Sequence, residues 1–213
     1  MAAPFRTQAD EAGAVQPVRL WDPVVRLTHW GIALVVLANA VLTEGGSRIH
    51  VWAGWAGLAL LLLRLVWGLV GTAEARFSAF PPDPAAALRH LMLLARGRVE
   101  EHPGHNPAGA AMAYALWAML AVLTASGIWM TGGKSPMQLD AQRAAVAAGD
   151  WSVMVAEDRD DDDKALGDAV EEVHEVAGNL ILFLVLLHLG GVAAESRALR
   201  RNLVLPMLFG PRE

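Results

Sequence analysis

Seven histidines and no cysteine bound the metal and redox chemistry open to this chain. Without cysteine there is no haem attachment through Cys-x-x-Cys-His, no thiolate-held iron–sulfur cluster and no disulfide. Any bound metal must be held by histidine, methionine or oxygen. Two of the histidines, His174 and His188, stand fourteen residues apart in the apolar run AVEEVHEVAGNLILFLVLLHLGGVAAE. Fourteen helical residues rise ~21 Å and complete almost a whole number of turns, so both imidazoles project from nearly one face. On a helix crossing a bilayer, one lies near each leaflet. Two unrelated core histidines are the alternative, but ionisable groups inside a membrane are costly and usually functional.

The elements that must position these rings are membrane spans. Hydrophobic residues make up 54% of the chain and charged residues 18%. Mean hydropathy is +0.36, unlike an ordinary soluble domain. Four stretches, about 23–43, 49–71, 109–131 and 169–194, are long and apolar enough to span. The first is short in purely apolar terms, and Asp22-Pro23 lengthens it with an N-cap and a first-turn proline. Residues 1–20 are polar, have no signal-peptide core and read as a disordered tail. Residues 21–210 read as an all-α four-helix membrane bundle with an acidic loop at 132–168. Lys and Arg set its orientation. Arg6, Arg19 and Arg26, the 72–108 loop (Arg76, Arg89, Arg96, Arg98) and the C-terminal tail (Arg197, Arg200, Arg201, Arg212) share one side. Arg48, Lys134, Arg143, Arg159 and Lys164 lie on the other. Eleven against five puts both termini in the cytoplasm.

Under that topology the histidines in the spans sort into two levels. His50 starts the second span beside the outer His174, and His29 lies inside the first span at the level of the inner His188. Each level holds two imidazoles, the number needed for bis-histidine ligation of a b-type haem. Arg64 follows His50 by fourteen residues and so reaches the inner level on the same helix face. A buried arginine needs an anion, which a haem propionate supplies through charge-assisted hydrogen bonds. Snorkelling to the membrane edge is the other reading.

The segments LWDPVVRLTHW, IHVWAGWAGLALLLLRLVWGLVG, RFSAF, GHNPAGA, VHEVAGN…LLHLGGV and RRNLVLPMLFG together resemble bacterial cytochrome b561 and the b-type cytochrome subunit of nickel–iron hydrogenases. The resemblance runs from Arg19 to Gly210, apart from 132–168. It implies a multi-pass protein of the bacterial inner membrane that holds two b haems and passes electrons between a quinone and a redox partner. It also implies His29, His50, His174 and His188 as the four iron ligands. Hydrogenase subunits usually carry a further segment, so the chain is closer to the shorter, stand-alone branch.

Other residues invite blander readings. His90, His102 and His105 fall in the cytoplasmic loop and read as solvent-exposed; a metal site from His102 and His105 is conceivable, but Pro103 and Gly104 look like a turn. GHNPAG reads as the cap of the third span, and LRHLMLLARG as a short amphipathic helix at the interface. Trp21, Trp30, Trp52, Trp55, Trp117 and Trp129 fit an interfacial belt; Trp30, Trp52 and Trp67 are also candidates for bracketing a haem or quinone. Gly54, Gly57, Gly178, Gly190 and Gly191 flank the ligand positions, either for close helix approach or to make room for a flat macrocycle. Met130 and Met137 are superfluous as ligands beside four histidines.

The 132–168 segment carries nine acids (Asp140, Asp150, Glu157, Asp158, Asp160, Asp161, Asp162, Asp163, Asp168) against four bases, a net −5 equal to that of the whole chain. It reads as a solvated loop or as a docking surface for a basic partner. Calcium binding lacks the glycine and spacing of an EF-hand. The acidity should repel superoxide, which some stand-alone relatives oxidise, and attract a basic periplasmic c-type cytochrome. The resulting expectation is an electron carrier between the quinone pool and a soluble haem protein. Superoxide:quinone oxidoreduction and a membrane anchor for a hydrogenase-like oxidoreductase are the alternatives. Nothing points to nucleic acid, and a homodimer is compatible with the sequence.

Overall fold

The computed structural model describes residues 22–98, 102, 105–154 and 161–210. The tail 1–20, Trp21, Pro103, Gly104 and the acids Glu157, Asp158 and Asp160 lie outside that set, as do the side chains of Asp161–Asp163. The described chain is all helical. The helices are α1 (Pro23–Leu37), α2 (Arg48–Val70), α3 (Pro84–Ala95), α4 (Pro107–Met130), α5 (Pro136–Ala147), α6 (Asp161–Ala198) and α7 (Val204–Phe209). Four helical stretches, Pro23–Leu42, Arg48–Val70, Pro107–Met130 and Lys164–Ala198, are long and apolar enough to cross a membrane.

Three of the four spans begin where the sequence supplies a cap. Asp22 Oδ1 accepts from Val25 N at 2.8 Å, and Pro23 occupies the first turn, where a missing N–H costs nothing. The other oxygen, Oδ2, accepts from Trp67 Nε1 and Thr72 Oγ1, both at 2.7 Å. The start of α1 is thereby tied to the end of α2. Burial of this carboxyl opposes ionisation, but the donors from Trp67, Val25 and Thr72 outweigh it and hold Asp22 below the usual carboxylate range. Ser47 caps α2, and Asn106, within GHNPAG, caps α4 by accepting from Gly109 N at 2.6 Å.

Inside the bundle the buried contacts are few and sit at mid-depth. Leu61, Leu120 and Ile181 form the buried core, with Ile32, Val36, Leu65 and Leu123 packed against it. Ile181 is seven residues from His174 and seven from His188, so this waist separates the two histidine levels. Leu34, Leu62, Val66, Leu69 and Leu186 are more than half exposed, as lipid-facing positions are. Small residues let the helices close: a Cβ on Gly57 would stand 3.0 Å from Val35, and one on Gly31 would stand 2.8 Å from Leu60. Gly68 likewise gives its place to the Phe77 ring.

Two segments depart from expectation. The described residues of 132–168 are largely helical. Ser135, Pro136 and Gln138 form a capping box with a first-turn proline that starts α5, a signal present in the sequence but overshadowed by the acid count. Asp140 of α5 accepts from Arg48 and Trp52, both at 3.0 Å, and Arg143 donates to Gly46 O, which fastens α5 to the outer end of α2. These donors, Trp52 foremost, hold the half-buried Asp140 carboxyl below its usual range. Second, α3 packs against α4 and touches α6. His90 is therefore 6% exposed, its Nε2 3.9 Å from Glu195 on α6, which corrects the expectation of an exposed loop histidine. His102 lies against His90, and Asn106 Nδ2 hydrogen-bonds the same Glu195.

Candidate functional site

α6 packs principally on α4, and α1 packs on α2. Between these two pairs of helices stand the histidines. The rings of His50 (α2) and His174 (α6) are 6.1 Å apart between centroids, inclined at 63°. Those of His29 (α1) and His188 (α6) are 6.2 Å apart, inclined at 56°. Histidine nitrogens bind first-row metals at about 2.0–2.1 Å. Two such bonds on opposite sides of one atom, plus about 1.1 Å from each nitrogen to its ring centre, give a centroid separation of about 6.3 Å. Each pair is thus spaced so that its two imidazoles could hold one metal ion between them.

The surroundings of the outer pair fix which nitrogen is free. Ser126 Oγ donates to Val122 O at 2.7 Å and therefore accepts from His174 Nδ1–H at 2.8 Å. This selects the tautomer whose Nε2 lone pair can bind metal, the usual role of a partner behind a ligand. Across the pair, Thr43 Oγ1 donates to Asn39 O and lies 3.4 Å from His50 Nδ1. Asn39 Nδ2 donates to His50 O at 3.2 Å. Both helpers belong to a π-helical turn, Ala38–Leu42, and the residue after it. The wider turn rotates the backbone that follows, a device common at functional sites. Ser126, Thr43 and Asn39 escaped sequence reasoning, although polar side chains in apolar spans are the signal that finds them. Ser126→Ala should weaken outer-haem retention about tenfold by the precedent for ligand-orienting partners, measured as haem-to-protein ratio under dilution; unchanged retention would deny Ser126 that role.

The inner pair differs. Among the described residues His29 Nδ1 is buried without a hydrogen-bond partner. Trp30 Nε1 donates to Met207 O at 3.1 Å and Arg26 to Leu208 O at 3.0 Å, which hooks α7 beneath α1. Arg64 is 2% exposed and so does not snorkel. Its Nη2 donates to Ala75 O at 3.2 Å, and its guanidinium lies 4.7 Å from the Trp117 ring centre, with Phe77 and Phe80 beside it. Nη1 has no partner. Trp117 thus leaves the interfacial belt for this aromatic seat.

The glycines divide by what stands opposite them. Gly57 serves helix approach, whereas a Cβ on Gly54, Gly178, Gly190 or Gly191 would meet nothing within 4 Å. Gly54 and Gly178 each follow a histidine of the outer pair by one helical turn, on the same face. Met130 and Met137 are 44% and 61% exposed. Among the described residues no group of three or more His, Asp or Glu is arranged to hold a metal ion.

Comparison with curated proteins and with solved structures finds no match. The family model for prokaryotic cytochrome b561 matches residues 20–210. Since that interval takes in every span and all four facing histidines, the chain belongs to the prokaryotic cytochrome b561 family.

Proposed function

We propose that this membrane b-type cytochrome carries electrons across the bacterial inner membrane between the quinone pool and a soluble redox partner on the periplasmic side. Family membership supports haem and electron transfer in general terms. The observation that carries the finer reading is the pair of facing imidazoles at each of two depths. In this reading His50 and His174 hold the outer haem, His29 and His188 hold the inner one, and Arg64 meets a propionate of the inner haem. The haems supply one-electron chemistry. The protein would offer two imidazoles to each haem, spaces the levels ~21 Å apart along α6, and fills the gap with Leu61, Leu120 and Ile181.

Support for a basic periplasmic partner comes from how the acids are displayed. The 35-residue stretch of α6 from Lys164 rises ~52 Å, well beyond ~30 Å of hydrocarbon. Asp168, Glu171, Glu172 and Glu175 are exposed on its outer turns around His174. Asp140 is engaged by Arg48 and Arg143 and contributes less to any field. Helix-borne carboxylates above the outer haem would attract a basic cytochrome c and repel superoxide.

The rate of electron exchange with a basic soluble cytochrome c is expected to fall steeply as salt rises from 10 mM to about 1 M, where the Debye length drops from about 30 to 3 Å. Stopped-flow absorbance reads it. A salt-independent rate, together with rapid haem reduction by superoxide, would replace this reading with superoxide:quinone oxidoreduction.

A further inference from the structure

α3 presents three faces. With about 100° between successive residues, the buried Ala87 and His90 stand together with the half-buried Ala86, Leu93 and Leu94, and the helix packs on α4 and α6. Beside that face stand Leu88, Leu91 and Met92, which are 57%, 50% and 44% exposed. Arg89 and Arg96, both exposed, close the circle on its other side. They are two helical turns apart and lie nearly one above the other. Packing on the bundle accounts for the first face only.

The place of α3 in the fold names what covers the second. α2 ends at Val70 and α4 begins at Pro107, so α3 lies where the chain has left one span and not yet entered the next. It is held to the bundle there, with His90 Nε2 3.9 Å from Glu195. The bonds from Trp67 and Thr72 to Asp22 put the start of α1 at the same end. Twelve residues rise ~18 Å, too short to cross ~30 Å of hydrocarbon. Three adjoining large apolar side chains left in water would form a patch of the kind that marks a binding surface. At the end of a span, acyl chains are the apolar phase within reach, and a helix with an apolar sector beside a basic one lies in the interface plane.

The third face selects the headgroup. Among the described residues no carboxylate pairs with Arg89 or Arg96. Asp83 is engaged as the cap of α3, accepting from Ala86 N at 2.8 Å. Arg98 follows just beyond the helix and is exposed. Guanidinium groups match phosphate oxygens with paired hydrogen bonds, and basic side chains at a leaflet surface attract anionic lipid.

We propose that α3 is an anionic-lipid site: Leu88, Leu91 and Met92 seat among acyl chains, and Arg89 and Arg96 hold the phosphates of anionic phospholipids. On the orientation read from the basic residues, the leaflet is the cytoplasmic one. The site depends on the chain spanning a membrane and not on the haem assignment.

The chain has no cysteine, so Leu91→Cys carries a single spin label in the full-length protein. In nanodiscs of mixed phosphatidylglycerol and phosphatidylcholine, power-saturation EPR is expected to find that label relaxed more by oxygen than by a water-soluble nickel chelate. Stronger relaxation by the chelate puts α3 in water and overturns the proposal. Dipolar broadening between labels assigns the face to a second copy and overturns it as well. Native mass spectrometry of protein released from the same discs reads the headgroup preference. Arg89→Gln and Arg96→Gln should each lower the retention of phosphatidylglycerol over phosphatidylcholine about fivefold, the effect of one surface charge, and Arg89→Lys should keep most of it. An unchanged preference in the double glutamine variant overturns the arginine contacts. Added inorganic phosphate is expected to leave the lipid bound; displacement by phosphate would give the arginines to a soluble anion instead.

Discussion

His174→Ala is expected to remove one low-spin haem from each molecule, halving the haem-to-protein ratio while the remaining haem keeps its spectrum. His50→Ala should give the same product, because its ring is the one that faces His174 at 6.1 Å. His29→Ala and His188→Ala should form a second matching pair that loses the other haem. The size of the effect follows from the pairing: with one histidine gone, a haem held there would keep a single protein ligand. Disturbing a partner behind a ligand costs metal affinity 10–100-fold, and losing the ligand itself costs more. The grouping of phenotypes is the decisive part. If His174→Ala and His188→Ala lost the same haem, or if His50→Ala resembled His29→Ala, the two-level arrangement would be wrong. Neither pair should abolish the fold, because the buried waist at Leu61, Leu120 and Ile181 lies between the levels and touches neither mutation.

Gly178→Leu should empty the outer site without unfolding the protein. A Cβ at Gly178, or at Gly54 across the pair, meets no atom within 4 Å, so the apoprotein has no clash to relieve. The substitution removes a helix-interior glycine and adds about 0.8–1 kcal/mol of helix propensity. A leucine side chain one turn from His174 on the same face would instead occupy the space a flat macrocycle needs. Expected readouts are loss of the outer haem, retention of the inner haem and unchanged helical content by circular dichroism. Full haem loading would mean that Gly178 faces lipid and that the macrocycle lies elsewhere. Gly57→Leu is the contrasting case: Val35 is 3.0 Å from its Cβ position, so that change should destabilise the bundle itself.

Much of the fold was legible because its signals are local. Asp22-Pro23, Ser47 and Asn106-Pro107 cap the spans where their side chains stand in sequence, and each apolar run is as long as the bilayer is thick. The grouping of His50 with His174, and of His29 with His188, follows from helix rise and alternating direction, both of which are counted along the chain. His90 was misread for the opposite reason. Nothing local tells a loop histidine that α3 will lie on α4 and turn it toward Glu195. The helix α5 was legible in Ser135-Pro136-x-Gln138, yet a run of acids drew the segment toward a loop.

By itself the sequence determined the number of the spans, the caps at Asp22-Pro23 and in GHNPAG, the fourteen-residue spacing of the histidines and the position of Arg64 along its helix, since each depends on spacing along one chain. Only the tertiary structure decided what faces those groups. It put Ser126 behind His174 and a π-turn behind His50, left His29 Nδ1 and Arg64 Nη1 without hydrogen-bond partners among the described residues, and separated Gly57, which closes helices, from Gly54 and Gly178, which open beside the His50–His174 pair. These are matters of helix rotation and approach. A shift of one residue in a helical turn rotates a side chain by about 100°, and the contacts between helices select which rotation survives.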